Sequence, residues 1–242
     1  MNQSTRNAAE TRARILGAAE ALFMERGFAA TSLRMITAQA KVNLAAVNYH
    51  FGSKESLIRE VFDRRLAPLN RARIQYLDRL ESAVGGRTLT VDRILEAIVM
   101  PALEMSRDAL SGGAASLRLL GRAYSEPADS MRDVLPSHYR EVAVRFKDAF
   151  TRALPEMPEE ELVWRMHFLF GALAYAMVGN DALQLVPASK IETVTDAENI
   201  ISRLMPFLSA AMSAPLPVLK EHDEVHVPLS RPLEGMIGRR AA

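Results

Sequence analysis

The chain has 242 residues, room for one large or two small domains, and its formal net charge of +1 makes it no global polycation. It lacks cysteine, which excludes disulfides, thiolate metal sites and cysteine catalysis. No signal-peptide core opens the chain, and its longest apolar run, Phe168 to Gly179, is too short to span a bilayer, so a cytoplasmic protein with no membrane partner is expected.

In chain order, the first predicted element is a helix over Thr11 to Arg26, with Ile15, Ala19, Leu22 and Phe23 on one face and Gly27 closing it. Thr31 or Ser32 can cap a second, short helix that carries Leu33, Ile36 and Ala40. Lys41-Val42-Asn43 interrupts it, and Asn43 can cap a third helix, Leu44 to His50, with Val47 and Phe51 one turn apart. Gly52 ends that helix and Ser53 caps the next. Together these helices can bury Ile15, Leu22, Phe23, Leu33, Ile36, Val42, Val47 and Phe51, a core suited to a small helix-turn-helix domain.

The rest reads as all-helical. A long helix from Ser53 to about Glu81 should be kinked or interrupted at Pro68, and Gly85-Gly86 forms a loop. Thr90 caps a helix to about Arg107, with an irregularity expected at Pro101. Ala114 to Ser125 is a short helix, and Asp129 to Ala153 is helical with a break or bend at Pro136. Pro158 followed by three glutamates starts a helix to about Leu183, because acids favour the N-terminal end of the helix dipole. Thr195-Asp196-Ala197-Glu198 has capping-box spacing and opens a last helix to about Met212. Residues 214–242, with several prolines, read as a flexible tail.

The run from Arg14 to Ile58, RILGAAEALFMERGFAATSLRMITAQAKVNLAAVNYHFGSKESLI, resembles the N-terminal domain of the TetR family of bacterial transcriptional regulators. The matching features are the apolar first helix ending in Phe-x-x-x-Gly-Phe, the Thr-Ser start of the second helix, the Tyr-His-Phe run and Ser-Lys-Glu-x-Leu. The resemblance covers roughly residues 10–60, a fifth of the chain. Val-Asn-Tyr-His-Phe-Gly-Ser-Lys, with Phe-Leu-Phe-Gly-Ala-Leu-Ala-Tyr at 168–175, is similar to a branch that includes fatty-acid-responsive repressors. Two positions depart from the family pattern. Lys41 stands where glycine is common in the turn, so either it takes a positive φ or the turn differs. Asn48 precedes Tyr49 where a second aromatic residue is frequent, which alters the base-reading face.

The resemblance implies an N-terminal helix-turn-helix DNA-binding domain over residues 8–54 and a helical effector-binding and dimerisation domain over 55–213. Small residues such as Ala45 and Ala46 suit a helix entering the major groove, where they can touch a thymine methyl, and Asn48 can pair bidentately with adenine. Lys54 at a helix start favours a phosphate, and family members contact phosphates at the positions of Tyr49 and His50. Both can equally be packing residues at a helix end. Thr31, Ser32, Arg34, Asn43 and Leu44 complete the candidate DNA-contacting set. The first 60 residues carry eight Lys or Arg against five Asp or Glu, a modest excess, so tight binding to a double-stranded operator calls for a homodimer.

The dimer surface is expected on the last two long helices, at Phe168, Gly171, Ala172 and Tyr175 and at Ile201, Leu204 and Leu208, although the same faces could be monomer core. The family also implies a pocket for a small, hydrophobic or acyl effector. Its candidate lining is Met100, Leu103, Tyr124, Phe146, Phe150, Trp164, His167 and Phe170, residues that fill cores as readily as pockets, with Arg118, Arg122, His167 or Asn180 as polar anchors.

An enzyme is the rival class. His222 and His226 have the spacing of a helical metal site but lack the glutamate a zincin needs, and His167 lacks the acid of a di-iron motif. No glycine-rich phosphate loop or nucleophile elbow occurs, so neither catalysis nor a metal or other cofactor is expected. A purely DNA-bending protein would not need the long apolar-faced C-terminal region.

Overall fold

The computed structural model describes residues 3–108, 113–125, 134–178 and 197–217. Its described residues are all-helical: α1 (Gln3–Arg26), α2 (Leu33–Ala40), α3 (Leu44–Phe51), α4 (Lys54–Ala83), α5 (Val91–Arg107), α6 (Gly113–Ser125), α7 (Val134–Ala153), α8 (Glu159–Val178) and α9 (Ala197–Ser213). The capping-box residues Thr195 and Asp196, the histidines 222 and 226, Asn180 and most of the expected tail lie outside the described residues.

Local chemistry sets the boundaries. Ser32, Asn43, Ser53 and Thr90 cap α2, α3, α4 and α5, each accepting a backbone N–H three residues on. Gly27 takes φ 83° and returns its N–H to the Phe23 carbonyl at 3.0 Å, ending α1. α1 begins at Gln3 rather than Thr11, two turns earlier than its apolar stripe, because nothing between those residues breaks a helix.

Neither Pro68 nor Pro101 interrupts its helix; α4 and α5 run through them. A proline removes one ladder bond, and burial of the flanking residues offsets that loss.

Two apolar cores divide the molecule. The first joins Ile15, Leu22, Phe23, Ile36, Val47 and Phe51 to Leu57 through Leu69 on α4 and to Ala102, Leu119 and Leu120 on α5 and α6. Leu33 and Val42 pack against it half-buried. Phe28 and Phe62 add an aromatic chain, with ring centroids 5.1 Å from Phe23 to Phe28 and 5.4 Å from Phe28 to Phe62. The second core begins at Leu77 and gathers α5, α7, α8 and α9 around Ile94, Ile98, Phe146, Phe150 and Leu169. Helix α4 belongs to both.

At the far end, Arg165 on α8 holds Glu161 at 2.7 Å and donates to the carbonyls of Met212, Ala214 and Pro215 at 2.7 to 3.1 Å, satisfying the open C-terminal end of α9.

Candidate nucleic-acid interface

Helices α2 and α3 form a helix-turn-helix whose turn is Lys41-Val42-Asn43. Lys41 adopts φ 53° and ψ 50°, and its N–H bonds back to α2, at 3.3 Å to the Ala38 carbonyl. Of the two readings open at this position, the strained left-handed one holds. Lys41 is the non-glycine residue with positive φ among those described. Asn43 Oδ1 accepts the Ala46 N–H at 2.8 Å, so that oxygen fixes the start of α3.

The sides of α3 separate cleanly. Val47 and Phe51 are buried, while Leu44, Ala45, Asn48 and Tyr49 are exposed, Tyr49 to 83%. Ala46 and His50 lie at the margins, half-buried, with His50 edge-on to Tyr49 at 5.0 Å. The exposed residues cover one arc of the helix and offer an amide, a phenol and small apolar groups, the chemistry that reads base edges and phosphates.

Gly52, at φ 76°, turns the chain between α3 and α4. Ser53 Oγ accepts the Ser56 N–H at 3.1 Å, and Lys54 opens α4 beside the end of α3. The Glu55 carboxylate is held below the usual range by its own backbone N–H and by the Ser53 hydroxyl. It stays ionised and takes up part of the N-terminal donor capacity, which leaves the Lys54 amine as the main attraction for an anion there.

Of the other residues expected at DNA, Ser32 and Arg34 are exposed at the start of α2. Thr31 is different. It is 1% exposed, and its hydroxyl reaches the Gly27 carbonyl at 2.7 Å, so its side chain closes the end of α1 instead of facing a phosphate. Arg12 was not foreseen in this module: its guanidinium lies 5.4 Å from the Phe51 ring centre and pairs with Glu60 on α4. It lies within the helix expected over Thr11 to Arg26, but its spacing to Phe51 and Glu60 carries no local signal.

The C-terminal residues sort differently from expectation. Phe146 and Phe150 are buried in the second core and Leu103 is buried on α5, with Met100 and Phe170 half-buried. The side chain of Tyr124 lies outside the described residues. Trp164 and His167, expected to line a pocket, are exposed on α8, where Trp164 stacks on Phe168 with centroids 5.9 Å apart. With Phe168 and Tyr175 they form an exposed aromatic stripe, and a side chain built at Gly171 would meet nothing within 4 Å. Ala172, Ile201 and Leu204 pack half-buried against the second core, and Phe207 is a large apolar residue exposed on α9. Leu208, expected at the dimer surface, is 1% exposed inside the protomer, because the opposite side of α9 carries the outward residues.

Among the described residues, no three His, Asp or Glu side chains gather as a metal site, and no helix is long and apolar enough to cross a membrane.

Comparison with known proteins covers both halves. Residues 15–61 match the family model of bacterial regulatory proteins, tetR family, and residues 96–211 match that of the tetracyclin repressor-like C-terminal domain. An HTH-type transcriptional repressor of Mycobacterium tuberculosis is 50% identical over 62 residues, 26% of this chain and 33% of its own length. The match thus spans about a third of the curated relatives' length. Two solved structures share the fold. A TetR-family transcriptional regulator from Streptomyces coelicolor has TM-score 0.51 and 20% identity, over 84% of this chain and 95% of its own. A regulatory protein in the tetR family from Rhodococcus RHA1 has TM-score 0.53 and 16% identity, over 84% of this chain and 96% of its own.

Proposed function

The chain belongs to the TetR family of bacterial regulatory proteins, and from that premise we propose that it is a ligand-responsive transcriptional repressor that binds a palindromic operator as a homodimer. The observation that carries this reading is the exposed arc Leu44, Ala45, Asn48 and Tyr49 on α3, beside Lys54, with Val47 and Phe51 fixing the helix from behind. Asn48 reads a base edge, the small residues allow close approach, and Tyr49, His50, Lys54, Ser32 and Arg34 hold the phosphate backbone.

Dimerisation falls to the exposed aromatic stripe of α8, Trp164, Phe168 and Tyr175, extended by Phe207 on α9. Four large apolar side chains in solvent form a patch of the kind that marks a protein interface, and Gly171 leaves room for a partner helix. Two α3 helices then enter successive major grooves, with half-sites about one DNA turn or a multiple apart. A small hydrophobic effector, held among the C-terminal helices, shifts the population toward a spacing that no longer fits the operator. The protein acts in the cytoplasm and without catalysis.

The test is fluorescence anisotropy on duplex DNA from upstream of the protein's own gene, against scrambled duplex, across a salt series. Binding to the upstream duplex at least about a hundredfold tighter supports the reading. Equal, steeply salt-dependent binding to both duplexes reduces the protein to nonspecific phosphate attraction at this site and defeats the specific reading there.

A further inference from the structure

A charge is enclosed where the two apolar cores meet. Arg73 on α4 is 4% exposed, and Asn70, one turn earlier, is 7% exposed. The Arg73 Nε donates to the Ile98 carbonyl on α5 at 2.9 Å, and Nη1 reaches Asn70 Oδ1 only at 3.5 Å. Among the described residues no carboxylate pairs with it. The comparably enclosed arginines do have acids: Arg165 holds Glu161 at 2.7 Å and Arg65 holds Glu20 at 2.6 Å.

Arginine stays charged at any physiological pH and presents five N–H donors in a planar fork that matches two carboxylate oxygens. One carbonyl and one long amide contact leave most of that fork without an acceptor. Enclosing a cation without a counter-charge is costly, and the cost is offset when an anion pairs with it.

The position is also mechanically distinctive. Below it, α4 is tied to α1 by Arg65 with Glu20 and by Arg12 with Glu60. Above it, α4 is tied to α7, where Arg145 holds Asp78 at 2.5 Å and Glu81 at 2.9 Å and Arg152 pairs with Glu81. Pro68 in α4 and Pro101 in α5 each remove a ladder bond close to this level. The cation therefore sits between two clamped stretches of α4, with a proline nearby in each of the two helices it joins.

We propose that Arg73 anchors the anionic end of the effector, and that the effector is a carboxylate with an apolar body. This rests on the reading that the C-terminal helices hold an effector, and it adds the charge that such a ligand must carry. The guanidinium takes both carboxylate oxygens, and the apolar remainder lies against the second core.

The test uses the full chain and calorimetric titration with straight-chain carboxylates from butanoate to hexadecanoate, each against the primary alcohol of equal length. At least one carboxylate should bind about tenfold or more tightly than its alcohol, as a charge-assisted pair requires. Arg73→Gln should abolish that preference. Arg73→Lys keeps the charge without the fork, and should weaken carboxylate binding while leaving alcohol binding unchanged, which decides the matter if the glutamine variant does not fold. Equal binding of acids and alcohols by the unmodified chain, or a preference that survives Arg73→Gln, overturns the anion anchor and leaves the effector reading standing. No binding in either series also overturns it; the effector reading is then settled separately, by whether a chemically diverse library releases operator DNA.

Discussion

The Arg65 guanidinium on α4 lies 2.6 Å from the Glu20 carboxylate on α1, with both side chains largely enclosed. This pair locks the first helix of the DNA-reading module to the helix shared by both cores. Breaking an enclosed pair from one side is costly, because the remaining guanidinium loses its contact with a charged carboxylate. Glu20→Gln should therefore lower stability by about 3 kcal/mol in urea denaturation. A loss below about 0.5 kcal/mol would show the pair to be no more than a surface contact.

Lys41 holds a left-handed conformation at the helix-turn-helix bend. That strain costs a non-glycine residue about 1–2 kcal/mol, against about 0.5–1 kcal/mol for the extra chain entropy of glycine. Lys41→Gly should thus be neutral or stabilising by up to about 1 kcal/mol, and Lys41→Val, β-branched, clearly destabilising. Thermal melts of the two variants give the order, and a glycine variant melting well below the parent would contradict the balance.

Tyr49 and Asn48 are exposed, so alanine at either should move stability by less than about 0.5 kcal/mol. Operator binding should still weaken, by about 1–3 kcal/mol for Asn48→Ala with relaxed preference at one base pair. Lys54→Ala should weaken all duplexes alike and reduce the salt slope by about 1 per protomer. Anisotropy on operator and single-base variants distinguishes these patterns, and unchanged binding in all three would move the interface elsewhere.

The chain has one tryptophan, Trp164, and it sits on the exposed stripe of α8. If that stripe is the dimer surface, its emission should shift to the red on dilution or in Phe168→Glu, and sedimentation should report a monomer. A dimer that persists in Phe168→Glu, with emission unchanged, would place the interface on another face.

Tyr76 donates its hydroxyl to Glu96 at 2.7 Å, and this bond, with partial burial and the carboxylate's charge, raises its pKa above the usual tyrosine range. The folded pKa lies above the unfolded one, so the contribution is complete below the unfolded value of about 10 and is lost as pH rises through the folded value. Tyr76→Phe should cost about 1 kcal/mol at neutral pH and flatten the alkaline fall of Tm, with little difference left at the highest pH. A Tm gap that widens with alkalinity would reverse the sign.

The DNA-reading half was legible because its signals are local. Ser32, Asn43, Ser53 and Gly52 each bond within their own turn, so identity and spacing define the boundaries. Identity alone left the cap of α2 open between Thr31 and Ser32; Thr31 bonds back to Gly27, and the capping falls to Ser32. The C-terminal half depends on long-range packing. Helix α8 is apolar on several sides, so periodicity could not say which side Trp164 and His167 take. The prolines 68 and 101 carried a local penalty that tertiary burial outweighs. Arg73 gave no sequence signal, since an enclosed arginine and a solvated one are the same letter.

Arg165 fixes the carbonyls of Met212, Ala214 and Pro215 from the flank of α8. The chain therefore leaves α9 from a pinned origin rather than from a frayed helix end. A fluorophore placed at Ser213 or Ala214 would inherit that fixed origin, and energy transfer between two such labels would work as a molecular ruler. In the proposed homodimer, its change on adding operator or effector would measure how far the two protomers move.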